Sequence, residues 1–228
     1  MRVAIVEDDL DQAKLLSVWL KDWGYECHLF SSGMNAIKSL QSESYDLVLL
    51  DWLLPDINGD KVLLWVRENI DWHIPLIFVT HCDGEVDIAY ALDHGADDYV
   101  LKPVKPLELK ARIAALTLRL NGVEKEKRQL VYGPYRFEFD THQAFLNNEL
   151  VELTQKEFSL AAFFFRNAGR LLSRSHLLES VWGHNTEVNT RTLDTHISRL
   201  RKKLQFGPEI GWQLKSMYRY GYRLEDAS

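Results

Sequence analysis

The sequence has little cysteine and no long apolar run, and these absences exclude several classes of protein. Its 228 residues include only Cys27 and Cys82, too few for a disulfide framework and without zinc-site spacing. The longest apolar stretch, 47–54, is interrupted by Asp51 and is far shorter than the roughly 18 residues of a membrane helix. No signal-peptide pattern follows Met1. We therefore expect a cytoplasmic protein with no membrane partner.

The charge of the chain is unevenly distributed. The net charge of −6 at pH 7 by itself argues against a nucleic-acid partner. However, residues 1–120 contain 11 Lys and Arg against 20 Asp and Glu, whereas residues 121–228 contain 16 against 13. Within 189–223 there are 8 basic and 2 acidic residues. This asymmetry predicts two domains, the second with a polyanionic partner.

The first half alternates apolar and amphipathic segments. Continuously apolar runs of strand length are typical of strands buried on both faces of a parallel sheet. They lie at 3–6, 47–50, 76–79 and 99–101, with a weaker candidate at 26–30. Between them, residues such as Leu10, Ala13 and Leu16 recur at helical spacing. Residues 1–120 are therefore predicted to form a doubly wound, five-stranded parallel α/β domain.

The pattern changes near residue 120. Residues 121–130 include a run of five charges without an apolar face and are predicted to form a linker. The segment 131–228 opens with short alternating stretches that suit antiparallel strands. A capping box at Thr154 and Glu157 predicts the start of a helix.

Two more helices and a terminal hairpin are predicted in this segment. The helices are centred on 177–182 and span 190–204, and the hairpin joins 212–215 to 221–224. Strands, three helices and a hairpin together predict an α+β winged helix-turn-helix domain.

Polar residues collect at the ends of the predicted parallel strands, where open α/β sheets bind their ligands. They are Glu7, Asp8, Asp51, Thr80 and Lys102. Three carboxylates brought together require a cation, and hard oxygen ligands favour Mg²⁺. An ionised carboxylate beside the ion can attack phosphorus, while a lysine and a hydroxyl contact phosphoryl oxygens. Taken singly, each residue has a plainer interpretation: Asp8 or Asp9 could cap a helix, and Lys102 could form a surface ion pair.

The ordered motifs resemble a known family. Val6–Asp9, Leu50–Pro55, Thr80 and Gly95–Pro103 are similar to the receiver domain of bacterial two-component response regulators. The C-terminal segment resembles the winged-helix effector domain of the OmpR/PhoB subfamily, so the resemblance covers essentially the whole chain.

The resemblance implies a role for each pocket residue. Asp51 would accept phosphate from a sensor histidine kinase. Asp8, Asp51 and the Leu53 carbonyl would bind Mg²⁺, with Glu7 acting through water, and Lys102 would contact the phosphoryl group. Thr80 and Tyr99 would form a switch pair in which the aromatic ring turns inward. Without the resemblance, a half-buried strand aromatic is the preferred interpretation of Tyr99.

Two features of the predicted receiver depart from the family pattern. His81 stands where a small residue is usual, which predicts an altered phosphoryl lifetime unless its side chain points to solvent. The resemblance also implies a phosphorylation-dependent homodimer with intermolecular charge pairs, and Asp98 and Arg112 fit one pair. Ile88 and Ala114 replace basic residues, which leaves Glu108 without its expected partner and implies apolar contact through Ile88 instead.

The segment 190–204 is predicted to read double-stranded DNA. Leu193, Ile197 and Leu200 lie on one face, and basic and hydroxyl-bearing residues share the other. By resemblance, Arg199 contacts bases, and the other predicted DNA-binding residues are Arg191, Thr192, His196, Arg201, Lys203 and Arg219. Arg219 enters this set because Tyr218 replaces the usual minor-groove arginine. The loop 183–188 meets RNA polymerase in some relatives, which makes the polymerase a candidate partner.

Two other functions remain open at this stage. One is an aspartyl-phosphate phosphatase, which normally needs a second acid at position 53, where this chain has Leu. The other is a regulator of the same fold that acts without phosphorylation, which His81 and the altered dimer face leave open.

Overall fold

The computed structural model describes residues 1–70, 72–120, 129–183, 190–218 and 220–227. The chain divides into two compact units, Met1–Glu124 and Lys125–Ser228. Strand β6 begins at Gln129, so the last two residues of the predicted 121–130 linker belong to a strand instead. The other residues of that linker, 121–128, lie outside the described residues.

The first unit is a doubly wound α/β domain, as predicted. Its parallel strands are β1 (Arg2–Val6), β2 (Glu26–Phe30), β3 (Leu47–Leu50), β4 (Leu76–Thr80) and β5 (Asp98–Leu101). Its helices are α1 (Leu10–Asp22), α2 (Gly33–Leu40), α3 (Gly59–Asn69), α4 (Glu85–Asp93) and α5 (Pro106–Leu120). The strand order β2-β1-β3-β4-β5 brings the carboxyl ends of β1, β3, β4 and β5 to one edge of the sheet.

Helices on both faces explain why the central strands are continuously apolar. Every residue of β1, β3 and β4 is buried. Successive residues of β1 enter different cores: Val3 and Ile5 pack with Leu16 of α1, whereas Ala4 and Val6 pack with Val62 of α3. This arrangement fixes the backbone of the strands whose ends carry the polar side chains.

The second unit has the predicted winged helix-turn-helix pattern. Four antiparallel strands, in the order β6-β7-β8-β9, precede the helices, and β10, β12 and β11 form a second sheet. The strands are β6 (Gln129–Tyr132), β7 (Tyr135–Glu138), β8 (Gln143–Leu146), β9 (Glu149–Val151), β10 (Leu171–Ser173), β11 (Trp212–Met217) and β12 (Gly221–Asp226). The helices are α6 (Gln155–Arg166), α7 (Arg174–Trp182) and α8 (Thr190–Lys203). None of the helices in the described ranges is long and apolar enough to cross a membrane.

The capping box of α6 is confirmed and is linked to the last helix of the unit. Thr154 Oγ1 accepts a hydrogen bond from the Glu157 amide at 3.3 Å, and Glu157 Oε2 accepts one from the Thr154 amide at 2.8 Å. Glu157 is fully buried, and Lys203 of α8 donates to the same Oε2 at 2.8 Å. The start of α6 is thereby tied to the end of α8.

Candidate functional sites

An acidic cluster lies where β1 and β3 end. Carboxylate oxygens of Glu7, Asp8 and Asp51 all lie within 4.8 Å of one another. Glu7 and Asp51 are buried, whereas Asp8 is exposed. The Asp51 amide donates to the Val6 carbonyl at 2.9 Å, which continues the pairing of β1 with β3 and fixes the position of the carboxylate. The predicted convergence of these three residues is therefore present.

A glycine holds the main chain of Asp51 close to helix α3. A Cβ atom on Gly59 would lie 2.2 Å from the Asp51 carbonyl oxygen, so no larger residue fits there without a backbone shift. The Gly59 amide also donates to the Trp52 carbonyl at 2.8 Å. Sequence reasoning missed this positioning role, because the need for glycine arises from a tertiary contact.

Lys102 neutralises two of the three carboxylates. Its ammonium group lies 2.6 Å from Asp51 Oδ2 and 2.7 Å from Glu7 Oε2. Only 3% of its side chain is exposed, so the interpretation of Lys102 as a surface ion pair is wrong. Burial raises the pKa of Glu7, although the nearby ammonium group opposes this effect. Burial lowers the pKa of Lys102, but its hydrogen bonds to Asp51 and Glu7 raise it by more, so the net pKa of Lys102 lies above its usual value. Lys102 therefore stays charged within the pocket.

The helix-capping interpretation holds for Asp9 rather than for Asp8. Asp9 Oδ1 accepts hydrogen bonds from the amides of Asp11 and Gln12, at 2.9 and 3.2 Å, and caps α1. The side chain of Asp8 remains exposed beside the buried carboxylates. Leu53, the other predicted metal-binding residue, follows Asp51 on the same loop, and its amide donates to Asp51 Oδ1 at 3.3 Å.

Thr80 and Tyr99 lie on neighbouring strands beside this cluster. Thr80 is fully buried at the end of β4, and its Oγ1 accepts a hydrogen bond from the Cys82 amide at 3.3 Å. Tyr99 of β5 is also buried and donates its hydroxyl to the Cys82 carbonyl at 2.9 Å. The ring of Tyr99 is thus turned inward. Burial raises the pKa of Tyr99, so the phenol stays protonated as a donor.

An aromatic cluster connects Asp51 to α4. Trp52 packs against Phe78 and Tyr99, with ring centroids 5.1 and 6.5 Å away. On its other side lies Tyr90 of α4, at 6.3 Å. Trp52 is not among the residues predicted from the sequence, although its position directly after Asp51 was the available signal.

His81 and Cys82 form the loop that follows Thr80. His81 is exposed, and Cys82 is half-buried. The predicted effect of His81 on phosphoryl lifetime stays a prediction.

Asp98 and Arg112, which are predicted to pair between chains, are bonded to each other within one chain. Arg112 Nη1 donates to both oxygens of Asp98, at 3.0 and 3.1 Å, and Nη2 donates to Glu108 Oε1 at 2.9 Å. Glu108 therefore has a partner within its own chain, and its lack of a partner across a dimer stays a prediction. Ile88 is half-buried against the core of this unit rather than fully presented to solvent, whereas Leu92 is 45% exposed.

Helix α8 presents a polar stripe to solvent. Leu193, Ile197 and Leu200 are buried in the core of the second unit, as predicted. The exposed residues on the opposite side are Arg191, Thr195, Ser198, Arg199 and Lys202, and the acidic Asp194 is exposed as well. Thr195, Ser198 and Lys202 were absent from the predicted DNA-binding residues, although Thr195 and Lys202 lie on the polar face that the helical spacing predicts. Thr192 and His196 are half-buried, and the His196 ring meets Trp182 edge-on at 5.2 Å.

Two predicted DNA-binding cations have partners inside the unit. Lys203 bonds to buried Glu157, and Arg201 donates to the Leu214 carbonyl at 2.9 and 2.6 Å and to Ser216 Oγ at 2.8 Å. Both side chains therefore stabilise the packing of α8, and their contact with DNA stays a prediction. Arg219 and residues 184–188 of the predicted polymerase loop lie outside the described residues.

Comparison with known proteins assigns both units to families. Residues 3–114 match the response regulator receiver domain, and residues 147–224 match the C-terminal domain of transcriptional regulatory proteins. The sensory transduction protein RegX3 of Mycobacterium tuberculosis (strain ATCC 25618 / H37Rv) is 36% identical over 225 residues, which cover 98% of each chain. The chain belongs to the OmpR/PhoB family of response regulators.

A second relative matches nearly the whole chain, and a solved structure matches about half of it. The alkaline phosphatase synthesis transcriptional regulatory protein PhoP of Bacillus subtilis (strain 168) is 32% identical over 99% of this chain and 97% of its own. A crystal structure of a two-component response regulator from Clostridium difficile covers 54% of this chain and 99% of its own, with 28% identity and a TM-score of 0.51. The protein is thus a two-component, DNA-binding response regulator with receiver and transcriptional regulatory domains.

Proposed function

We propose that Asp51 is the phosphoacceptor of this response regulator and that a sensor histidine kinase is the donor. The observation that carries the proposal is the bridge from Lys102 to Asp51 and Glu7 beside exposed Asp8. In the transfer, a carboxylate oxygen of Asp51 attacks the phosphorus of a phosphohistidine. A P–O bond forms as the P–N bond breaks, and the imidazole leaves. Lys102 then donates to an oxygen of the transferred group.

The donor set fits Mg²⁺. Glu7, Asp8 and Asp51 supply hard carboxylate oxygens close together, which is the chemistry that Mg²⁺ prefers. These residues would hold the ion, with the Leu53 carbonyl as a further ligand. When bound, the ion supplies positive charge against the incoming phosphoryl oxygens.

The kinase is proposed to dock on α1, close to the acidic cluster. Leu10, Leu15 and Val18 of this helix are 61%, 49% and 55% exposed. Leu15 and Val18, three residues apart, are neighbours on the helix surface, and exposed apolar patches are typical of surfaces that a protein partner covers. The position of Leu10 directly after the Asp8–Asp9 pair places this surface at the mouth of the pocket.

Phosphorylation is proposed to act through Thr80 and Tyr99 on the α4–β5–α5 face and to favour a homodimer. Trp52 and Tyr99 connect the pocket with Tyr90 on α4, so a shift at Asp51 reaches that helix through packed rings. The phosphoryl group stabilises one of two receiver arrangements, and the dimer forms in that arrangement.

The DNA-binding surface is proposed to be the exposed stripe of α8. Arg199 reads a guanine edge, and the flanking hydroxyls and cations contact phosphates. Thr192 and His196, at the border of the stripe, are proposed to contact the backbone. RNA polymerase remains a proposed partner of the loop after α7.

The test uses the full chain with Mg²⁺ and either beryllofluoride, a phosphoryl mimic, or acetyl phosphate. Intact mass should increase by one phosphoryl group with acetyl phosphate, and light scattering should show a monomer with Mg²⁺ alone and a dimer with Mg²⁺ and the mimic. Asp51→Asn should abolish both changes, whereas Asp11→Asn, which alters an exposed carboxylate on α1, should abolish neither. Phosphorylation of Asp51→Asn would overturn the assignment of the acceptor, and an unchanged mass by light scattering would overturn the phosphate-gated dimer.

A further inference from the structure

A carboxylate in the loop between β3 and α3 caps helix α2. This loop, residues 51–58, also carries Leu53, whose carbonyl is proposed to bind Mg²⁺. Asp56 Oδ1 accepts a hydrogen bond from the Gly33 amide at 2.9 Å, and Asp56 Oδ2 accepts one from the Met34 amide at 2.8 Å. Gly33 and Met34 are the first two residues of α2, so their amides have no partner within the helix. Asp56 therefore joins the loop to the start of a neighbouring helix.

The N-cap residue of α2 leaves these two amides to Asp56. Ser32 is the N-cap residue, and its Oγ accepts a hydrogen bond from the Asn35 amide at 3.4 Å. The helix dipole favours a negative charge at this end of α2. Burial raises the pKa of the Asp56 carboxyl, but the backbone amides around it, including that of Ile57 at 2.8 Å, lower it by more, so the net pKa lies below its usual value. Asp56 is therefore ionised near neutral pH.

The start of α2 is also packed closely against the loop. A Cβ atom on Gly33 would lie 2.6 Å from Ile57 Cγ1 and 2.8 Å from Val62 Cγ2, so the backbone of the first turn of α2 lies directly on the loop and on α3. Val62 is fully buried, and Ile57 packs against the same core. The loop around Asp56 therefore cannot shift unless α2 or these side chains move as well.

Leu53 lies between this capping contact and the acidic cluster. On the side of the cluster, the Leu53 amide donates to Asp51 Oδ1 at 3.3 Å. The Leu53 side chain is 58% exposed, so its own packing does not fix the backbone, whereas the next residue, Leu54, is buried in the core. The backbone at Leu53 is therefore held by Asp51, by the packing of Leu54 and by the contact of Asp56 with α2.

We propose that Asp56 is a positioning residue for the Mg²⁺ site: by capping α2, it holds the loop so that the Leu53 carbonyl stays in place to bind the ion. Mg²⁺ demands near-ideal octahedral geometry, so a carbonyl that must first be ordered contributes less to its binding. Asp56 acts through the loop and needs no contact with the ion. The inference rests on the proposed Mg²⁺ site at Glu7, Asp8 and Asp51.

Coupling between two sites is reciprocal, so the same contact makes α2 respond to the ion. If the cap raises the affinity for Mg²⁺, then bound Mg²⁺ stabilises the cap by the same factor. The Gly33 and Met34 amides should therefore exchange their hydrogens more slowly when Mg²⁺ is added. The Leu76 amide is the reference, because it is also held by a carboxylate, Asp97 Oδ2 at 2.8 Å, but at the first residue of β4, on the opposite edge of the sheet. Slower exchange at Leu76 reports stabilisation of the whole unit, and any additional slowing in α2 measures the link.

The experiment measures the Mg²⁺ affinity of the full-length chain by isothermal titration calorimetry and its amide exchange by NMR. Asp56→Ala should bind Mg²⁺ about tenfold more weakly than the wild type, as is typical when a residue that supports metal ligands is removed. Asp56→Asn, which keeps the shape and one acceptor oxygen, should lie between the two. The additional slowing at Met34 relative to Leu76 should vanish in Asp56→Ala. Asp97→Ala, which removes another carboxylate that accepts a backbone amide, is the matched control and should lower stability without changing the Mg²⁺ affinity.

The outcomes separate the positioning role from a general effect on stability. An unchanged Mg²⁺ affinity in Asp56→Ala would overturn the inference, as would an equal loss of affinity in Asp97→Ala. Additional slowing at Met34 that persists in Asp56→Ala would overturn it as well. If Asp51→Asn loses Mg²⁺ affinity while Asp56→Ala does not, the ion site stands and only the positioning role fails. A wild-type protein that binds no Mg²⁺, or an Asp51→Asn variant that binds it equally well, overturns the proposed ion site itself.

Discussion

The ammonium group of Lys102 lies 2.6 Å from a carboxylate oxygen of Asp51, with both side chains more than nine-tenths buried. Glu7 accepts from the same ammonium group, so Lys102 is the counterion of two carboxylates. We predict that Lys102→Met lowers the free energy of unfolding by about 3–5 kcal/mol in the absence of Mg²⁺, because it leaves the two carboxylates without a buried positive charge. Mg²⁺ should then stabilise the variant more than the wild type.

Urea unfolding with and without Mg²⁺ measures this difference. Lys105→Met, which changes an exposed lysine three residues away, should match the wild type in both conditions. Equal stabilisation of Lys102→Met and wild type by Mg²⁺ would show that the ion and the lysine do not share these carboxylates.

Gly59 is predicted to fix the position of Asp51. In Gly59→Ala the new methyl group would meet the Asp51 carbonyl, which belongs to the backbone and cannot rotate away. We expect a loss of about 1–3 kcal/mol in stability together with slower phosphorylation by acetyl phosphate. Gly84→Ala is the control, since its methyl group would meet only the flexible Asp87 side chain. A phosphorylation rate that is unchanged in Gly59→Ala would remove this positioning role.

The parallel sheet could be predicted because a strand that is covered on both faces needs an apolar residue at nearly every position. Such continuous apolar runs can be seen directly in the sequence. The acidic cluster was predictable for the same reason, since the ends of such strands must meet at one edge. Short strands such as β9 and β10 were missed, because three residues carry too little periodicity to identify. The partners of Arg201 and Lys203 also could not be predicted, because whether a cation on a helix faces solvent or its own domain depends on tertiary packing.

Glu157 is predicted to make the stability of the second unit depend on pH. Burial raises the pKa of this carboxyl, but the Lys203 ammonium and the Thr154 amide lower it further, so the net pKa lies below its usual value. Its contribution to stability is therefore present above the unfolded pKa of about 4.3 and is lost as pH falls through the folded pKa. Calorimetry of the full chain between neutral and acidic pH should show that the melting temperature of the second unit falls less with acid in Lys203→Met than in the wild type. Lys202→Met, one residue away, should keep the wild-type dependence.

Arg199 and Arg201 are predicted to have different roles, although they lie two residues apart on α8. Arg199 is exposed on the polar stripe, so Arg199→Ala should weaken binding to a duplex that the wild-type protein has selected from a randomised library by about 1–3 kcal/mol and leave stability unchanged. Arg201 holds the Leu214 carbonyl, so Arg201→Ala should lower the melting temperature of the second unit. Fluorescence anisotropy of the duplex and calorimetry on the same preparations separate the two effects, and identical behaviour of the variants would contradict the assignment.

His81 is predicted to control access to the phosphoryl group. It directly follows buried Thr80 at the edge of the pocket, so a ring turned toward the pocket would restrict the approach of water and of small donors. His81→Ala should therefore be phosphorylated faster by acetyl phosphate and should lose the phosphoryl group faster, whereas His81→Gln should stay close to the wild type because it keeps bulk and a hydrogen-bonding group. Phosphate-affinity gel electrophoresis over time measures both rates, with His142→Asn in the second unit as the control. If both rates are unchanged in His81→Ala, then the side chain points away from the pocket and the departure from the family pattern at this position has no effect on phosphoryl lifetime.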